Sequence, residues 1–310
     1  MGKVIVIAGP TCSGKTSLSI NVAEKINSEI ISADSRQVYR YLNIGTAKPS
    51  RQELKNVKHH LIDHSNPDDD FNAGMFVEEA ERIISRLQSE NKIAVVTGGT
   101  GLYIKSLIDG IINSVDTNKE LRKELLNQRK QLGNEYLYEQ LKKVDAKSAS
   151  TMLPQNWKRV MRALEVYFIS GKPIWQHFKE QQHDENNIYL QYGLEWSRDQ
   201  LYKRIEERVD RMIERGLVDE VKLLLEKGYS KELNALNTVG YKEIISYLEN
   251  EISLDRAIEL IKRNTRRYSK RQITWFKADK RINWIRIESE SDFSKASNYI
   301  TQKVLNERKN

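Results

Sequence analysis

The residues in this chain that most clearly carry chemistry stand in one run: Gly9, Pro10, Thr11, Cys12, Ser13, Gly14, Lys15 and Thr16. They fill the pattern G-x-x-x-x-G-K-[ST], directly after the apolar run Val4–Ala8 and ahead of a helical pattern from Lys15, which is the context the motif requires. Backbone N–H groups of such a loop converge, with a helix N-terminus, on an anion of diphosphate size. Glycines let the backbone approach closely, Lys15 adds a compact positive charge, and the Thr16 hydroxyl can ligate a Mg2+ ion that bridges phosphates. The plainer alternative is a tight strand-to-helix turn. What the loop specifies is a diphosphate site, not a nucleotide site.

A kinase or ATPase usually supplies a second acidic Mg2+ ligand at the end of an apolar strand. The strand pattern Ile93–Thr97 instead runs into Gly98, Gly99, Thr100, Gly101, Leu102 and Tyr103, with no carboxylate. The one acid at a strand end is Asp34, in the sequence Ser32-Ala33-Asp34-Ser35-Arg36-Gln37. At the carboxyl edge of a doubly wound sheet it lies beside the phosphate loop. There it serves as a metal ligand, as a general base, or as the N-cap of the next helix. Further on, Arg204, Arg208, Arg211 and Arg215 line one stripe of a helical pattern. They suit an anion, or ion pairs with Glu206 and neighbouring acids on a solvated face.

The elements that position these residues follow from apolar spacing. Val4–Ala8, Glu29–Ala33, His60–Asp63, Ile93–Thr97, Ile188–Glu195 and Ile282–Ile287 read as strands. Lys15–Ile26 and Gly74–Ser89 read as helices between them. Strands that are apolar throughout, joined by helices, imply an α/β fold with a parallel sheet covered on both faces. Residues 113–187 turn polar and helical, with Leu121–Leu132, Glu135–Leu141 and Lys158–Ser170 as helices and the polar run Gln181–Asn187 near the end. They read as an inserted helical domain within a core made of 1–112 and 188–310. Ser197 with Gln200 makes a capping box that opens a long helix, and Gly216 and Gly228 are helix stops.

The chain has 310 residues, 39% hydrophobic and 30% charged, as in an ordinary globular protein. No stretch approaches the ~18 apolar residues of a membrane helix. A single cysteine excludes an intrachain disulfide, and with no export signal at the start a cytoplasmic address is expected. The net charge is +8, and it is clustered: nine basic residues and one acid lie between Lys262 and Arg281, interleaved with Tyr268, Trp275 and Phe276. Cations with interleaved aromatics form the footprint of a nucleic-acid surface; alone, the segment also fits a solvated helix face. His59 and His60 lack the companions of a metal site.

Taken in order, Gly9–Thr16, Asp34–Tyr39, Ile44–Pro49, Gly98–Tyr103, Arg162–Val166, Val239–Glu243 and Lys270–Phe276 resemble the bacterial tRNA dimethylallyltransferases, an IPP transferase family, over essentially the whole chain. Cys12 stands where alanine is common, and Asn156-Trp157-Lys158-Arg159 departs from a segment usually richer in proline and arginine. The resemblance implies a P-loop kinase-like core with a helical insertion that grips the anticodon stem-loop. It also implies transfer of the dimethylallyl group of dimethylallyl diphosphate to N6 of the adenosine 3′ of the anticodon (position 37), with Mg2+ as cofactor. It assigns catalysis to Asp34, Thr16 and Arg208, with Arg204 second on the diphosphate held by residues 9–16. It assigns tRNA contacts to Asp34, Ser35, Arg36, Gln37, Thr100, Arg122, Lys158, Arg159, Gly240, Tyr241, Lys242, Lys270, Arg271, Gln272 and Trp275. The chain is expected to act as a monomer. Rival readings are a small-molecule P-loop kinase, a nucleotide-regulated RNA-binding protein without transferase chemistry, and a prenyltransferase acting on free adenylate.

Overall fold

The computed structural model describes residues 2–112, 115–180 and 187–306. The strands are β1 (Gly2–Ala8), β2 (Ile30–Ser32), β3 (His59–His60), β4 (Ala94–Gly98), β5 (Asn187–Glu195) and β6 (Asn283–Arg286). They form one sheet in the order β3-β2-β4-β1-β5-β6, with every neighbouring pair parallel. Val4 to Ala8 are fully buried at its centre, because a run apolar on both faces is stable only in a sheet covered on both sides. The third strand is shorter than the sequence suggests. Leu61 and Asp63 adopt positive φ, 60° and 52°, and this left-handed backbone turns the chain off the sheet edge after His60.

Helices α1 (Lys15–Lys25), α2 (Arg51–Asn56), α3 (Ala73–Ser89) and α4 (Gly101–Asp109) precede the helical stretch. Helices α5 (Lys119–Val144), α6 (Ala146–Ala149), α7 (Trp157–Ser170) and α8 (Ile174–Glu180) form it, and α9 (Arg198–Glu214), α10 (Leu217–Glu226), α11 (Tyr241–Leu248), α12 (Leu254–Lys277) and α13 (Asp292–Asn306) follow. Helices α2, α4, α6, α8 and α13 have no counterpart in the sequence reading. The last of these matters most. Its Phe293, Ala296, Ile300 and Val304 join Leu18 and Val22 of α1 and Ile5 and Ile7 of β1 in the main core.

Two compact units divide the chain: Met1–Ile108 with Glu185–Asn310, and Asp109–Asp184. The sequence placed the boundaries at 112/113 and 187/188; Asn113 and most of the polar run 181–187 lie outside the described residues. In the smaller unit α5 breaks at Gly133 (φ 87°, ψ 177°), where glycine alone tolerates the backbone. Leu125, Leu137 and Leu141 of α5 pack on Val160, Ala163 and Leu164 of α7. Glu165 is fully buried there. It accepts both Nε and Nη2 of Arg122 (2.8 and 3.0 Å), Nη1 of Arg162 (2.7 Å) and the Asn118 N–H (3.0 Å). The Arg122 guanidinium, assigned to tRNA from the sequence, neutralises this buried carboxylate, which unpaired would cost several kcal/mol, while its side chain stays 40% exposed. Lys158 and Arg159 stay exposed on the first turn of α7.

Candidate active site

The loops after β1, β2 and β4 lie side by side at the carboxyl edge of the sheet. Since β4 separates β1 from β2, the phosphate loop and the Asp34 turn face each other across the 98–100 segment, about 10 Å apart at two strand spacings. Gly14 has φ 87°, and a Cβ there would stand 2.1 Å from the Phe293 ring. Conformation and packing both require glycine at that position. The Lys15 ammonium donates to the Pro10 carbonyl at 2.6 Å. Burial, and then the charge of Arg208, lower its pKa to about 8 against the attraction of Asp34. Lys15 thus sits in the fields of Arg208 and Asp34, two of the three residues assigned to catalysis.

Two loop side chains are buried within the protein. Cys12 (φ 65°) is buried and packs with Leu201 and Ile205 of α9. Ser13 is fully buried, its hydroxyl without a hydrogen-bond partner among the described residues, while its carbonyl accepts from Trp196 Nε1 at 2.9 Å. For these two residues, only backbone groups are left to meet a diphosphate. Both arginines reach the loop. Arg204 donates its Nε to the Cys12 carbonyl (3.0 Å), pairs its Nη1 with Glu290 (3.1 Å) and stacks on Trp196 at 4.5 Å. Arg208 donates its Nη1 to Thr11 Oγ1 at 3.3 Å. Arg204 also carries an ion pair with Glu290, and no carboxylate pairs with Arg208 among the described residues. A recess of about 110 Å3 between Cys12, Arg204, Glu207, Arg208, Arg211 and Glu290 adds Arg211, which the sequence reading left in a stripe without assigning it. Its spacing of three from Arg208 was the available signal.

On the acceptor side, Asp34 Oδ1 accepts the N–H groups of Arg36 (2.8 Å) and Gln37 (3.2 Å). Asp34 thus closes its own turn rather than capping a helix, and Oδ2 has no hydrogen-bond partner among the described residues. Tyr268 of α12, read in the sequence only as one of the aromatics of the basic stretch, lies within the field of Asp34. Its ring is part-exposed, but burial of the hydroxyl and then the Asp34 charge push its pKa up to about 12. Thr100, assigned to the target nucleotide, has its hydroxyl on Ser35: it accepts the Ser35 N–H (3.0 Å) and donates to Ser35 Oγ (3.3 Å). Arg36 donates to the Asn234 carbonyl at 2.5 Å.

Four further residues assigned to tRNA make internal hydrogen bonds, three of them buried. Gln37 gives its amide to the carbonyls of Thr46 and Ala47 (3.1 and 3.2 Å), which ties the Asp34 turn to the 43–48 loop. Tyr241 is fully buried and donates to Glu220 Oε1 at 2.7 Å; its ring lies 2.4 Å from where a Gly45 Cβ would stand. Gly240 is buried and donates its N–H to Glu243 (2.8 Å). Gln272 is buried between Thr11 and Gly99. Glu220, which no local pattern reveals, accepts the N–H groups of Asn43, Ile44 and Gly45 at 2.8–3.1 Å. Trp275 remains 47% exposed, with its indole edge against Gly101, and Lys242 is exposed.

The basic stretch of α12 divides in two. Lys262, Arg266 and Lys277 pair with Asp210, Glu206 and Glu195 and so fasten the helix to the core. Arg267, Lys270 and Arg271 are exposed and make no ion pair among the described residues. Lys270, Arg271 and Trp275 border a cleft of about 740 Å3 over Ile104, Ile108 and Gln191. His60 pairs with Glu29 at 2.6 Å and His59 Nδ1 meets the Val57 carbonyl, both hydrogen-bonding roles.

No helix among the described residues is long and apolar enough to cross a membrane. Residues 37–279 match the family described as IPP transferase. A tRNA dimethylallyltransferase of Acetivibrio thermocellus is 48% identical over 295 residues, 94% of each chain. One of Carboxydothermus hydrogenoformans is 46% identical over 309 residues, 98% of this chain and 97% of the other. Among solved structures, a full-length tRNA isopentenylpyrophosphate transferase of Bacillus halodurans superposes with TM-score 0.73 at 35% identity, covering 100% of this chain and 99% of that one. A eukaryotic dimethylallyltransferase solved acting on tRNA gives TM-score 0.78 at 31% identity, covering 92% and 74%. With its phosphate loop facing a lone strand-end carboxylate, and with these relatives spanning its length, the chain belongs to the IPP transferase family.

Proposed function

We propose that this transferase moves the dimethylallyl group of dimethylallyl diphosphate onto N6 of the adenosine 3′ of the anticodon in tRNA, releasing diphosphate. The observation that carries the reading is a phosphate loop touched by Lys15 and Arg208 at the same sheet edge as the Asp34 turn: a diphosphate cradle that opens onto one carboxylate. The N6 lone pair is delocalised into the purine ring and is a weak nucleophile. As N6 bonds to C1 of the donor and the C1–O bond breaks, Asp34 Oδ2 takes the N6 proton, help worth about 10² to 10⁴ in rate. The loop N–H groups, Lys15 and Arg208 stabilise the charge that grows on the departing diphosphate.

The residues present suit Mg2+. Among the described residues no group of three or more His, Cys, Asp or Glu side chains gathers to cage a metal, and Mg2+ is commonly held by one or two protein oxygens with phosphates and water. Thr16 Oγ1 would hold it, and the ion would neutralise diphosphate charge. The target base is unreachable while stacked, so it is extruded toward Asp34, with phosphates guided by Arg267, Lys270 and Arg271 and by Lys158 and Arg159. The protein works in the cytoplasm, where tRNA is available, and as a monomer, which sedimentation equilibrium checks.

Mass spectrometry of unmodified tRNA incubated with the protein, Mg2+ and dimethylallyl diphosphate tests the reading. A mass gain of one dimethylallyl group at the adenosine is the expected result. Transfer from γ-labelled ATP to a small acceptor would establish the kinase instead, and gain on free AMP but not on tRNA the adenylate enzyme.

A further inference from the structure

The pairing of β1 with β4 ends at Ala8–Gly98. Beyond it one chain enters the phosphate loop and the other turns toward Thr100, so their backbone groups separate. The Gln272 carboxamide fills that gap. Its Oε1 accepts the Thr11 N–H at 2.8 Å, and its Nε2 donates to the Gly99 carbonyl at 2.8 Å. Gln272 is 6% exposed, and a Cβ on Gly99 would stand 2.4 Å from Nε2, so the glycine there is what admits the amide. One residue on, Thr100 holds Ser35, and Asp34 closes the same turn. A continuous path of hydrogen bonds and short chain segments therefore joins the donor loop to the Asp34 turn. Only a side chain carrying one donor and one acceptor at its tip spans this gap, and losing it would leave a buried N–H and a buried C=O unpaired.

We propose that Gln272 is a positioning residue that fixes the phosphate loop relative to the Asp34 turn, and so the distance between donor carbon and acceptor nitrogen. This goes beyond its place in a tRNA-binding segment and rests on the prenyl-transfer reading. A reacting pair misplaced by about 1 Å loses up to about a hundredfold in rate.

The test compares the unmodified protein with Gln272→Met, which keeps length without the amide, and Gln272→Glu, which keeps the acceptor for Thr11 and loses the donor to Gly99. Thermal unfolding, tRNA filter binding, single-turnover transfer at saturating substrates and calorimetric affinity for Mg2+ pyrophosphate are measured on each. The expected result is a single-turnover rate about 10- to 100-fold lower in Q272M and at least as low in Q272E, whose carboxylate would face the Gly99 carbonyl and the diphosphate, with weaker pyrophosphate binding in both and tRNA affinity unchanged. Folded variants with unchanged rate and pyrophosphate affinity, or a loss confined to tRNA affinity, would overturn it. If Q272M does not fold, Q272E decides by the same readouts. Pyrophosphate binding reads the loop whatever the acceptor, so a failure of the transfer reading itself is separable.

Discussion

At the scale of single residues, the site is governed by how charges are stationed around Lys15. Burial and Arg208 lower its pKa from 10.5 to about 8. It is therefore charged below pH 8 and loses its proton as pH rises through that value. Affinity for the anionic donor should be full below pH 8, and KM for the donor should rise about tenfold per unit above it. Steady-state kinetics across pH 7–10 check this, and Lys15→Gln should remove the dependence while raising KM throughout. Asp34 predicts a different signature. Asp34→Ala should lower kcat by about 10² to 10⁴ with tRNA affinity nearly intact, measured by single turnover and filter binding; equal loss in affinity would move Asp34 from chemistry to binding. Cys12 yields a third outcome: its thiol is 5% exposed, so iodoacetamide should label it slowly with or without donor, as judged by mass spectrometry.

At the scale of elements, the sequence motifs turn out to explain one another through packing. Gly45 is glycine because Tyr241 of α11 lies on it, Gly101 because Trp275 of α12 does, and Gly14 because Phe293 of α13 does. The last contact gives a stability test. Phe293 is buried in the main core, and Phe293→Ala should cost about 3 kcal/mol of unfolding free energy, read by urea denaturation. Because the cavity would open beside Gly14, donor KM should rise as well, whereas a core truncation distant from the loop should leave KM alone. Helix α13 was not read from the sequence, although Phe293, Ala296, Ile300 and Val304 share one helical face. Only the packing of that face against α1 marks it as core.

At the scale of the whole molecule, the basic charge of α12 does two jobs. Lys262, Arg266 and Lys277 anchor the helix by ion pairs, while Arg267, Lys270 and Arg271 remain available to phosphates. Each phosphate contact releases counterions, so Lys270→Ala or Arg271→Ala should reduce the slope of log affinity against log salt by about one. Lys262→Ala should leave that slope unchanged and lower stability instead. Filter binding from low to moderate salt distinguishes them, and equal slopes for all three would place the RNA elsewhere.

The parallel sheet, the phosphate loop and the carboxylate at the end of β2 were settled by the sequence alone, because each depends on residues adjacent in the chain. An apolar run, a glycine-rich turn and a strand-end acid carry their own geometry. The roles of Gln37, Gln272, Tyr241 and Arg122 were not legible, since a polar side chain in a motif has the same composition whether it faces RNA or closes an internal gap. The tertiary structure engages them with Thr46, Gly99, Glu220 and Glu165, burying Gln272 and Tyr241, and for all but Gln37 these partners lie 21 to 173 residues away in sequence. Buried polar groups must find hydrogen bonds somewhere, and only the folded chain brings those partners within reach.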